Sequence, residues 1–191
     1  MPPRIAILGW GSLLWEEHPE FDEWHDDWRP DGPTLKLEFS RVSSTRLGAL
    51  TLVVDPDHGA PTEVAWCLSK RKNPDDAVAD LRCREGCPIR YIARMTVVTS
   101  ADDQSLVHEG AKEAAPWARA RGLDVVVWTA LPSNFAKKVK KQFSVQEASN
   151  YLKGLPAPAK VKAAEYIWRS PEFVCTPLGR AMKQDRWFHE R

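Results

Sequence analysis

The stretch Ile5-Ala6-Ile7-Leu8-Gly9-Trp10-Gly11-Ser12-Leu13-Leu14 decides how the rest of the chain is read. Four apolar residues run straight into two glycines separated by one aromatic. A continuous apolar run bounded by glycine reads as a fully buried strand. Gly9 and Gly11 let the chain turn sharply and let another group approach the backbone. The amides of Gly11, Ser12 and Leu13 would then be free to grip an anion or a carbonyl oxygen. An ordinary glycine turn closing a strand is the alternative, because short glycine motifs are weak signals.

The chain around this stretch has 191 residues, 43% of them hydrophobic and 28% charged, which fits one globular domain with a sizeable core. Its net charge of +1 provides no global field for nucleic acid or an anionic membrane. No apolar run approaches a membrane span, and the first one is too short for a signal peptide. A cytoplasmic protein is expected, with Cys67, Cys83, Cys87 and Cys175 as reduced thiols. Cys83 and Cys87 have no second Cys/His pair nearby and make a poor zinc site.

Beyond the first loop, Glu16–Asp31 is crowded with acids, while Phe21, Trp24 and Trp28 recur at the spacing of a short amphipathic helix. The acids read as its solvated face, or as a lid or docking surface for a basic partner. Leu35–Phe39 alternates as a strand does, and Ala49–Val54 reads as a more buried strand. Between them lies the polar segment Arg41–Gly48. Asp55-Pro56-Asp57-His58-Gly59 is a turn, and Glu63–Leu68 is expected to pair back across it as a hairpin. Arg90–Thr99 and Asp124–Ala130 read as further strands, and Ala111–Arg121 as a helix interrupted at Pro116. The tail is read as helical. Ser133 is a candidate cap, Ser144 and Glu147 form a capping box, and a last helix includes Val161 and Ile167. Lys137, Lys138, Lys140 and Lys141 read as a solvated face rather than a nucleic-acid patch. From Pro171 onward little pattern is usable.

One helix carries more information. Asn73 can cap it, Pro74 suits its first position, Asp75 and Asp76 sit at its positive end, and Gly86 is placed just past its close. Ala77, Leu81 and Glu85 then lie four apart on one face, the apolar one. A carboxylate there points inward and sits at the negative end of the helix dipole. Both conditions favour its protonated form and suit general acid–base chemistry. A terminal Glu that frays into water is the alternative.

Taken together, the order of strand, Gly9-Trp10-Gly11-Ser12-Leu13 loop, strands, the Val64-Ala65-Trp66 strand, and a helix ending in Leu81–Gly86 resembles the gamma-glutamylcyclotransferase-like superfamily over roughly residues 4–130. The loop is similar to that family's Tyr-Gly-Ser-Leu signature, with Trp10 in place of the tyrosine. The family's essential glutamate falls on Glu85. Trp128 stands at a later strand position where members often carry tyrosine.

The resemblance implies an α+β (mixed α/β) fold, a small barrel-like mixed sheet flanked by helices. It would form a single domain over 1–191, with a core at 4–130 and a helical C-terminal extension at 131–191. It further implies an enzyme that cyclises a gamma-glutamyl amide or peptide to 5-oxoproline and releases a free amine. Glu85 would be general acid and base, while Trp10, Gly11, Ser12, Leu13, Arg46 and Trp128 would meet the substrate. Arg46, or else Arg41, would pair with the substrate carboxylate. No metal or organic cofactor is required. The expected partner is a small gamma-glutamyl molecule such as glutathione, bound by a monomer or homodimer without nucleic acid or membrane. A catalytically inactive binding or regulatory protein on the same fold stays open because Trp10 lacks the phenol hydroxyl. So does an interaction module using the 16–31 acids or the 137–141 lysines.

Overall fold

The computed structural model describes residues 2–97 and 108–186. Its architecture is mixed α+β, with strands in one four-stranded and one three-stranded sheet. Among the described residues the strands close no barrel, so two separate sheets stand where one barrel-like sheet was expected. The chain forms two compact units, Met1–Leu35 with Glu63–Leu131, and Lys36–Thr62 with Pro132–Arg191. The helical tail therefore shares its unit with the 36–62 hairpin region. No described helix is long and apolar enough to cross a membrane.

The first unit is built on β1 (Ile5–Gly9), whose five residues are all buried. It is a central strand of the order β5-β1-β7-β6, with β5 at Ala65–Leu68, β6 at Ile92–Thr96 and β7 at Val125–Thr129. β1 runs parallel to β7, pairing Ile5 with Val125 and Ile7 with Val127, and antiparallel to β5. A strand covered on both faces needs apolar residues throughout, which is why β1 and β7 show no alternation. Helix α2 (Pro74–Glu85) packs Ala77, Val78 and Leu81 into one core cluster with Ile5, Ile7, Cys67, Val125 and Val127. The intervening residues point to the opposite face of the sheet. Tyr91 sits in a 3-10 turn (Ile89–Tyr91), so β6 starts later than Arg90, and residues 98 and 99 of that expected strand lie outside the described residues.

Two expectations fail in this unit for one reason. Only Pro19–Asp22 (α1) is helical in the acidic segment. The chain then extends along the open edge of β5, where Asp26 N donates to Leu68 O (3.0 Å), Arg29 N to Trp66 O (2.8 Å) and Gly32 N to Val64 O (3.0 Å). Covering an exposed sheet edge satisfies backbone groups that a short acidic helix would leave in water. With β5 held by β1 on one side and by this segment on the other, Glu63–Leu68 is not the hairpin partner of Ala49–Val54. It splits instead into the end of β4 (Ala60–Glu63) and β5.

In the second unit the sheet order is β3-β2-β4, with β2 at Thr34–Val42 and β3 at Leu50–Val54. The helices are α4 (Phe135–Val139), α5 (Val145–Gly154), α6 (Ala157–Arg169) and α7 (Pro177–Gln184). Ser144 Oγ accepts from Glu147 N (3.1 Å), as a capping residue does. Asn134 rather than Ser133 precedes α4, and Ser133 Oγ donates instead to Ser40 O (2.9 Å). Glu38 is wholly buried, although strand alternation places it on a polar face. Its carboxylate accepts from Phe39 N (2.8 Å) and Leu178 N (3.2 Å), so it caps the start of α7 from across the unit. Burial raises its pKa against the lowering effect of these donors.

Candidate active site

All the structural parts of the expected site except Arg46 belong to the first unit. At the carboxyl end of β1 the chain enters a 3-10 turn, Gly11–Leu14, preceded by Trp10 in an extended conformation. Gly11 takes φ 63, the left-handed region that suits glycine. Gly9 is needed for a different reason. A Cβ there would lie 2.5 Å from the Trp28 ring, so the indole packs directly on the backbone. The N–H groups of Gly11, Ser12 and Leu13 open the turn, where no upstream carbonyl of the same helix can accept from them. Trp10 offers no side-chain cap to this turn.

The second part is the end of α2. Asn73 Oδ1 accepts from Asp75 N (3.0 Å) at its start, and Gly86 closes it at φ 58. Glu85 is its last helical residue and is half-buried. It continues the stripe of Ala77 and Leu81, both completely buried, so the helix neither frays before Glu85 nor encloses it fully.

Arg84 joins the two parts. Its Nη2 donates to Ser12 O (3.1 Å), reaches Glu16 O at 3.5 Å, and lies 3.7 Å from Glu16 Oε2. The helix end is thereby fastened to the glycine loop, and Glu85 is the next residue along, about 3.8 Å further at its Cα. With 3.6 residues per turn, the Glu85 side chain leaves the helix roughly 100° around from Arg84.

No family model matches this chain, and neither does any curated protein.

Trp10 and Trp128 belong to the first unit, and Arg41 and Arg46 to the second. Trp128 is fully buried, and its Nε1 donates to Glu109 O (3.1 Å). It alternates with Val127, so it faces away from α2, beside His108 and Gly110 at the start of α3 (Ala111–Ala120). Arg46 belongs to the second unit, where its guanidinium lies over the Tyr166 ring at 4.7 Å. Arg41 donates to Pro132 O (2.7 Å). Trp10 is buried at the mouth of the turn.

Cys67 lies beneath α2, and burial pushes its thiol well above the usual range, which disfavours the thiolate. Cys83 is exposed and Cys87 is buried, and neither is in a disulfide. Among the described residues one group has metal-ligand character: Asp55, Asp57 and His58 in the second unit, with ligand atoms within 4.8 Å of one another. Asp55 Oδ1 already accepts from Asp57 N (3.1 Å) and His58 N (3.0 Å), the bonds of an Asx turn. Arg84 is the residue that sequence reading missed. Its signal was its position beside Glu85, where a basic residue also suits a helix C-terminus, so that nothing marked it as buried.

Proposed function

We propose that this chain cyclises a gamma-glutamyl amide to 5-oxoproline and releases a free amine, with Glu85 as general acid and base. The observation that carries the reading is the Arg84–Ser12 hydrogen bond, which keeps the last turn of α2 against the glycine loop. In the reaction the substrate's own α-nitrogen attacks its γ-carbonyl carbon. A C–N bond forms, the original amide C–N bond breaks, and no water enters the balance. The attacking nitrogen loses one proton and the leaving nitrogen gains one. A half-buried carboxylate beside both can carry that proton across. The N–H groups of Gly11, Ser12 and Leu13 would hold the substrate carboxylate or the oxygen that gains charge during ring closure. Because the reaction is intramolecular, holding the chain folded supplies much of the rate.

A second reading, a binding protein without turnover, draws on Trp10 and Trp128. Each is donor-only where the family resemblance expects a phenol, and the Trp128 N–H is already committed to Glu109 O. Incubation with a panel of gamma-glutamyl dipeptides and glutathione separates the two. Release of 5-oxoproline supports the enzyme. Saturable binding of a panel member without product supports the second reading.

A further inference from the structure

We propose that Arg84 is the positioning residue of this site, a buried cation retained to hold the loop rather than to stabilise the fold. The side chain is only 9% exposed, and its Nε is buried with no hydrogen-bond partner among the described residues. Arginine usually keeps its head in water while its stem covers apolar surface. Taking a guanidinium out of water is unfavourable unless good partners surround it. Here the Glu16 carboxylate oxygen is 3.7 Å away on a side chain that is 36% exposed, and one N–H is orphaned. An unbranched apolar side chain of similar length would fill the space without that penalty, so packing alone gives no reason for arginine here.

Geometry gives one. Ser12 O already accepts from Trp15 N (3.3 Å) and Glu16 N (2.9 Å), and Arg84 makes a third contact with it. The same Nη2 also reaches Glu16 O, one turn further on. The rigid guanidinium therefore bridges both ends of the Ser12–Glu16 turn from the last turn of α2. Gly11 precedes this turn in a left-handed conformation, and Glu85 follows Arg84 directly. A loop that shifted would move its amides relative to Glu85, and displacements near 1 Å are enough to slow a positioned reaction about a hundredfold.

The effect on turnover rests on the function proposed above; the effect on the loop does not. The test therefore compares wild type, Arg84→Met and Arg84→Lys in three measurements: amide hydrogen exchange, thermal midpoint, and kcat and KM for 5-oxoproline release. For Arg84→Met we expect faster exchange at the Trp15 and Glu16 amides, by about tenfold or more, with an unchanged or higher thermal midpoint. We also expect kcat to fall by about tenfold or more with KM changed less. Arg84→Lys, which keeps one donor but not the fork, should recover part of both losses. Unchanged exchange at Trp15 and Glu16 overturns the proposal. So does accelerated exchange throughout the unit with a lower midpoint, which would make Arg84 an ordinary stabilising residue. If wild type makes no 5-oxoproline, the proposed function fails while the exchange data still decide the role of Arg84.

Discussion

The Trp28 indole occupies the place a side chain at Gly9 would need, its Cζ3 and Cη2 atoms lying 2.5 and 2.6 Å from an added Cβ. The end of β1 and the wall beside it are thus one packed unit. Gly9→Ala should destabilise by about 1–3 kcal/mol, the usual range for overpacking a close-packed interior. Trp28→Leu opens the space, so the double variant should lose less stability than the two single losses added together. Denaturant midpoints for the four proteins measure the coupling directly.

Gly86 presents the opposite case. Its φ is 58, yet nothing lies within 4 Å of an added Cβ. Gly86→Ala should therefore lose about 1–2 kcal/mol from the left-handed backbone alone. Gly86→Asn should lose less, because asparagine tolerates that region. A thermal melt series distinguishes this from a steric effect, in which the larger residue would be worse.

Asn73 caps α2 through Asp75 N. Asn73→Ala should lower stability by about 1 kcal/mol, and Asn73→Asp should retain most of it. Since α2 carries Glu85 at its far end, turnover per folded molecule should be nearly unchanged in both. A large fall in turnover at full folding would mean that the cap also sets the position of the helix end.

Glu38 gives a pH dependence with a defined sign. Burial raises its folded-state pKa above the ordinary carboxylate value of 4.5. Its contribution to stability is therefore fully present below that value and is lost as pH rises through the raised one. Glu38→Gln removes the titration. The stability of wild type relative to this variant should decline as pH is raised from about 4 toward neutrality, measured by denaturant unfolding at each pH. A constant difference would contradict the assignment.

Much of the architecture was legible in local chemistry. The Ile5–Leu8 run, the Asn73-Pro74 start and the Gly86 stop of α2, and the Ser144 cap each act within a few residues, where sequence and structure are tied by the same hydrogen bonds. What escaped depended on distant partners. Within Glu16–Asp31 the spacing of Phe21, Trp24 and Trp28 suggests a helix, but beyond α1 the open edge of β5 offers the backbone a better set of bonds. Helix α7 is capped by Thr176, whose side chain accepts from Gly179 N, and starts at Pro177, a start signal present in the sequence of a tail without clear periodicity. Nothing in the local sequence singles out Glu38 or Arg84, because their partners, Leu178 and Ser12, are remote in sequence. Trp128 entered the expected site through the family resemblance, at a strand position where members often carry tyrosine; in the fold it alternates with Val127 and faces away from α2.

The central claim is that Glu85 carries a proton during ring closure beside the glycine loop. Glu85→Gln removes the titrating oxygen while keeping the size of the side chain. With a gamma-glutamyl dipeptide that wild type converts, the variant should remain folded and release 5-oxoproline about a hundred to ten thousand times more slowly, the range general acid–base groups contribute. Release at the wild-type rate by a folded Glu85→Gln protein would contradict the account.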